Sequence, residues 1–201
     1  GYMNRGAHEG EVGVDIYYYD IEKNVVQEKA FIPSTKSFAI AEEELGKMVY
    51  YNQDQNLLYI LAGGKFYKID LTKDEQTVLA KNLEEGQYTV SSDGHLIAYQ
   101  TSGTINTAQE IKVLNLKTDE ENAVAAKSGE AIRPLGFIGS DFVYGYLRQE
   151  DVGHTAAGGE LFPMYELEIR NSENEVMKTY SADQIYISDV FIEENMMTLN
   201  R

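Results

Sequence analysis

"VSSDGHLIAYQTSGTINTAQEIKVLNLKT", residues 90–118, reads as strand, turn, strand, loop, strand. Ser91-Ser92-Asp93-Gly94 is a tight polar turn, and the run His95-Leu96-Ile97-Ala98-Tyr99 has a strand's alternation, so the first half is a β-hairpin. The run from Glu110 to Leu116 alternates again and enters a second polar turn at 118–122. Whether this unit stands alone or returns settles the architecture, and it returns. Segments starting at Ile16, Phe66, Ile111 and Met164 share one pattern: an alternating strand, an acidic or amide residue followed by Ile or Leu, a polar turn, another strand. The anchor pairs are Asp20-Ile21, Asp70-Leu71, Asn115-Leu116 and Glu168-Ile169, spaced by 50, 45 and 53 residues. Four other hairpins, at 47–61, 88–100, 135–147 and 186–200, fall in step with these.

Four antiparallel strands in about 45–50 residues is the pattern of a β-propeller blade. One such sheet cannot bury both faces, and stacking each blade on the next removes the exposed apolar surface. The expected fold is therefore all-β, a single propeller domain over 1–201 with blades at about 47–83, 87–127 and 133–180. A fourth blade is expected from the N-terminal hairpin 12–32 paired with the C-terminal hairpin 185–200. The alternative is a slice of a larger propeller of roughly six to eight blades. Residues 39–51, "AIAEEELGKMVYY", could open a helix, but Gly46 and the β-rich tail favour a loop.

Composition narrows the classes of partner. The 201 residues carry 17 Lys and Arg against 33 Asp and Glu, a net charge of −16. Such a surface repels phosphate backbones and anionic membranes, which argues against nucleic acid and membrane-surface partners. No apolar run reaches the roughly 18 residues of a membrane helix. The absence of cysteine excludes disulfides, thiolate metal sites and cysteine nucleophiles. The chain opens "GYMNRG" without an initiator Met, which reads as an excised domain.

The run 90–118, with its Ser-x-Asp-Gly turn, Ile-Ala-Tyr strand and Glu-Ile-x-Val-x-x-Leu strand, resembles the repeat of WD-like, TolB-like propellers. The match is good for this unit and loose for the other three, whose turns lack Asp-Gly. The resemblance implies a binding or scaffold module outside the cytoplasm, cell-surface or membrane-anchored in the full-length protein. Relatives include propellers that gate peptidases and many exported proteins of no known role.

With strands a to d in each blade, the a–b and c–d turns share one end of the sheets, and the b–c loops and blade links share the other. The c–d turns are short and charged, reading as a solvated acidic rim. The b–c loops range from Ala62-Gly63-Gly64 through Ser102–Glu110 to Arg148–Pro163, and long loops on a rigid scaffold are where binding residues concentrate. The candidate ligand-contact residues are His8, Glu9, Glu150, Asp151, His154 and Phe162. His8 and His154 fall at nearly equivalent loop positions beside carboxylates, but without ligand-pair spacing, so no metal or other cofactor is expected. His95 is expected as an exposed strand-start residue, and most strand tyrosines as blade-to-blade filler. No G-x-S-x-G, P-loop, dinucleotide-binding or H-E-x-x-H motif is present, so no catalytic residue is assigned. The expected function is a non-catalytic recognition module, monomeric, for an unidentified protein, glycan or small molecule. Alternatives are a carbohydrate-binding propeller, a propeller enzyme and a peptidase-gating propeller.

Overall fold

The computed structural model describes residues 13–154, 156–193 and 196–200. It divides into two compact units, Gly1–Asn82 and Leu83–Arg201. In the first unit, β1 (Gly13–Asp20) and β2 (Val25–Pro33) form a two-stranded antiparallel sheet, followed by α1 (Phe38–Lys47). A four-stranded meander follows: β3 (Val49–Asn52), β4 (Leu57–Ala62), β5 (Lys65–Asp70) and β6 (Glu75–Ala80). The second unit has two more meanders. One is β7 (Tyr88–Val90), β8 (Leu96–Gln100), β9 (Glu110–Asn115) and β10 (Glu120–Ala125). In the other, β11 (Glu130–Ile138) pairs with β12 (Asp141–Arg148); β13 (Gly153–His154) and β14 (Glu160–Leu161) form a two-residue ladder in the loop that follows; then β15 (Met164–Arg170) and β16 (Val176–Ser181) complete the sheet. The hairpin of β17 (Asp189–Glu193) and β18 (Met196–Asn200) ends the unit. The expected class, all-β with four-stranded antiparallel blades, is the fold observed.

One expectation is corrected. Residues 38–47 are helical, not a loop. Ala, Glu and Leu are strong helix formers, and Gly46 sits in the last turn, where its entropic cost is least. The helix is tied down at Glu44, which pairs with Lys36 and accepts the Gly63 N–H at 3.0 Å. Leu45 packs against the core of the first unit.

Burial follows the pleat. In the first unit Val14, Ile16 and Ile32 of the β1–β2 hairpin share a core with Ile60, Ala62, Tyr67 and Ile69. In the second, Leu96, Ala98 and Ile111 pack on Ile132, Phe142, Tyr144 and Tyr146, and Leu147, Met164 and Leu167 pack on the β17–β18 side. The strand tyrosines divide: Tyr59, Tyr67, Tyr99, Tyr144 and Tyr146 are buried, whereas Tyr17, Tyr19 and Tyr51 are exposed. Gly145 allows the closest approach, because a Cβ there would lie 2.3 Å from Met164 Sδ and 2.8 Å from Leu167 Cδ2.

Two polar devices hold the frame. In the opening turn, Ser91 Oγ donates to Asp93 Oδ1 at 2.6 Å and accepts the Leu96 N–H at 3.0 Å. The second device closes the free edge of β11. Ile132 turns both backbone groups away from β12: its N–H reaches Ala108 O at 2.9 Å and its carbonyl accepts Gln100 Nε2 at 2.8 Å. Gln100 also donates to Ile105 O at 3.1 Å, and its own carbonyl accepts Gln87 Nε2 at 3.0 Å. Pro134, two residues along the same edge, therefore sacrifices no ladder bond. At the other end of the sheets, the c–d turns repeat one conformation. Asn24, Asp74, Asp119 and Asn174 lie at φ 53°, 55°, 63° and 63°. In three of them an anchor side chain, Asp20, Asp70 or Asn115, accepts backbone N–H groups of the turn.

Candidate functional site

The loop end of the second unit carries the residues singled out from the sequence. His8 and Glu9 lie outside the described residues. Glu150 and Asp151 fall in a single 3-10 turn, Gln149–Asp151, at the end of β12. Asp151 Oδ1 accepts the Tyr186 hydroxyl at 3.2 Å, while its Oδ2 is buried with no partner. Glu150 is exposed but close enough to act on Tyr186, whose pKa is raised by the Asp151 hydrogen bond and charge, then by burial, with a smaller push from Glu150. His154 is exposed and opposite Glu160 in the two-residue ladder, and Phe162 is half-buried. The structure thus brings Asp151 and Glu150 together around Tyr186, while His154 belongs to the loop ladder. Among the described residues no three His, Asp or Glu side chains converge as a metal site would require.

Beside Asp151 lies a groove of about 400 Å³, lined by Arg148, Tyr165, Glu166 and the blade link Ser181–Tyr186. Its charged wall is a set of residues that the sequence did not single out. The Arg148 guanidinium lies 3.7 Å from the centre of the Tyr165 ring and 3.5 Å from Glu130 Oε1. The Tyr165 hydroxyl donates to Glu130 Oε2 at 2.5 Å. Lys127 Nζ sits 2.8 Å from Glu166 Oε1 and over the rings of Tyr146 and Tyr165, at 4.9 and 5.5 Å. The Glu166 bond raises the Lys127 pKa, against a smaller desolvation penalty. Glu130 and Glu166 are only 14% and 16% exposed, so both are held by partners before any ligand arrives. Such pre-positioned charge and aromatic surface lowers the ordering cost of binding. These residues come from a blade link and three strands, with 38 positions between Lys127 and Tyr165, and no local motif announces them.

Arg133 stitches the same region internally. It donates to Asn106, whose backbone carbonyl accepts Gln149 Nε2 at 2.8 Å. Burial lowers the Arg133 pKa, partly opposed by Asp189.

No protein-family model matches the chain, and no curated protein matches it. Solved structures do. The chain is similar to U3-55K at 11% identity, over 72% of this chain and 41% of that one, with a TM-score of 0.35. It is similar to dipeptidyl peptidase 4 of Porphyromonas gingivalis at 7% identity, over 92% and 38%, with a TM-score of 0.32. It is similar to an oligogalacturonate lyase in complex with manganese at 11% identity, over 88% and 61%, with a TM-score of 0.31. The chain spans about two fifths of the length of the first two and less than two thirds of the third. Likenesses this distant carry no argument about activity or partner, and the fold rests on the sheets themselves.

Proposed function

We propose that this chain is a non-catalytic recognition or scaffold module of an exported, cell-envelope-associated protein, meeting a protein partner or small ligand at the loop-end groove. The observation that carries the reading is the groove's wall. Arg148, Tyr165 and Glu166 line it and are locked by bonds to Glu130 and Lys127, beside Tyr186 and the unpartnered Asp151 Oδ2. Aromatic and arginine side chains on a rigid frame are the residues that dominate binding energy at interfaces. The envelope location rests on the resemblance of residues 90–118 to repeats of exported propellers.

The test is site-specific photo-crosslinking on intact envelopes of the source cell. Probes at Glu150 and His154 are compared with one at Lys178, an exposed position on the outer strand β16. One dominant adduct from the loop-end probes, lost with Arg148→Ala, supports the reading. Equal labelling from all three positions, or an adduct indifferent to Arg148→Ala, rejects it.

A further inference from the structure

The turn end of the second unit holds a separate cleft. It has a volume of about 350 Å³ and opens between the sheet β7–β10 and the sheet built on β11, β12, β15 and β16. That volume lies at the small end of the range for ligand sites, about 300–1,000 Å³. The buried side chains of Leu96 and Phe142, with Val113, form its apolar base.

Around this base stand polar groups with hydrogen-bonding capacity to spare. His95 is half-buried rather than exposed, because the turn folds its Nδ1 back to 2.9 Å from Asp93 Oδ1. With Nδ1 bonded to Asp93, Nε2 is the ring nitrogen left for a ligand. Asn115 uses its Oδ1 to accept the Lys117 and Thr118 N–H groups, and among the described residues its amide Nδ2 has no hydrogen-bond partner. Among the described residues neither Asn122 nor Ser140, both lining the cleft, has a side-chain hydrogen bond.

The charges favour a neutral ligand. The one arginine, Arg170, is engaged: its Nε donates to Tyr144 Oη at 2.5 Å, an Nη to Asn174 O at 3.0 Å, and its other Nη lies 3.8 Å from Glu168. Glu120 and Glu173 also line the cleft, so an anion entering it meets two carboxylates and a spent cation. An extended peptide is held mainly by backbone pairing along a strand edge, whereas the cleft offers side chains, an apolar base rimmed by Asn115, Asn122, Ser140 and His95. A pyranose ring matches it, with an apolar C–H face for the base and a rim of hydroxyls that both donate and accept.

We propose that this inter-blade cleft is a saccharide site for one or two neutral sugar rings, with Asn115, Asn122, Ser140 and His95 as the hydrogen-bonding residues. The site is distinct from the loop-end groove and stands independently of the function proposed there. The test titrates isotope-labelled protein with D-glucose, D-galactose, D-mannose and N-acetyl-D-glucosamine, separately and to tens of millimolar, following side-chain amide and imidazole resonances by NMR. At least one sugar should shift the Asn115, Asn122 and His95 signals saturably. Asn122→Ala, a change at an exposed position of β10 that the fold tolerates, should weaken that binding about tenfold, as loss of a hydrogen bond to a ligand does. Ser140→Ala should also weaken it, and the uronic acid of the best binder should bind less well. No saturable shift with any of the four, affinity unchanged in both variants, or tighter binding of the uronate would each overturn the proposal.

Discussion

Gln100→Leu tests how the second unit is held together. Gln100 is 2% exposed and Gln87 4%, so the amides meet away from water. The substitution keeps the volume and removes the polar end. It strands the Ile132 carbonyl in a buried setting and the Ile105 carbonyl in a partly buried one, while Gln87 Nε2 keeps Gly103 O at 3.3 Å. An unsatisfied buried acceptor costs about 1–3 kcal/mol, and burying leucine returns about 1 kcal/mol. Two such acceptors less the leucine term leave a net loss of about 1–5 kcal/mol, which in a chain of this size lowers Tm by roughly 2–20 °C. Urea unfolding measures the free energy, and hydrogen exchange locates it: the Ile132 amide, bonded to Ala108 O, should lose more protection than amides inside β8 or β12. Gln87→Leu and the double variant complete a cycle whose coupling should fall at about 0.5–3 kcal/mol. A loss below about 1 kcal/mol with additive singles would refute the claim that this pair closes the edge of β11.

Ser91→Ala should cost about 1–3 kcal/mol in urea unfolding, because it leaves the buried Leu96 N–H without its acceptor. The Asp93 carboxyl is opposed by burial but held below its ordinary pKa by the Ser91 hydroxyl, the His95 N–H and the His95 charge. Its contribution is present above the unfolded pKa of about 3.9 and lost as pH falls through the folded value, so Asp93→Asn should flatten the acid limb of the stability profile. Burial raises the pKa of Tyr99 and Tyr144, helped by the Glu121 and Glu168 carboxylates, so their contribution is intact below the unfolded value of about 10 and lost above it. Tyrosine absorbance and circular dichroism should therefore report one shared alkaline transition. Gly145→Ala should cost about 1–3 kcal/mol by forcing Met164 and Leu167 aside, read as a lowered urea midpoint. The fourth blade expected from the sequence predicts one chain per particle by light scattering and a single melting transition, whereas a dimer or two transitions would count against it.

The hairpins were legible because two local signals agree in each: period-two alternation and a turn rich in Asn, Asp or Gly. Residues 90–118 carry both, and β7 to β9 fall where they indicate. Gly46 and the β-rich tail of residues 39–51 point to a loop, but Gly46 falls in the final turn of α1, where glycine costs least, and the tail is already β3. The edge of β11 was illegible for a different reason: Gln100 and Ile132 are 32 positions apart, and a glutamine ending a strand looks like any solvated polar residue. The sequence pointed to the loop end through loop length, but Lys127, Glu130 and Tyr165 sit in a link and two strands and meet only through pairing of the folded sheet. The saccharide cleft lies among turns read as a plain acidic rim. Its neutral amides, Asn115 and Asn122, are separated by six residues of turn and strand and share a wall only because β9 and β10 are antiparallel.

The left-handed residue ending each c–d turn has a consequence for how the repeats can diverge. Asn and Asp enter that conformation at modest cost, and glycine enters it freely, whereas β-branched residues are strongly penalised there. Elsewhere in a unit any apolar side chain of suitable size satisfies the alternation, so the letters of one unit need bear little likeness to those of the next. Positions 24, 74, 119 and 174 are the exception, since drift there is confined to a short list of residue types. The repeats of this chain thus share a torsion angle where they share little spelling. Units aligned on that angle, rather than on sequence identity, put Arg170, the last residue of β15, opposite Asp20, Asp70 and Asn115, two positions beyond the Glu168 that the spelling suggests.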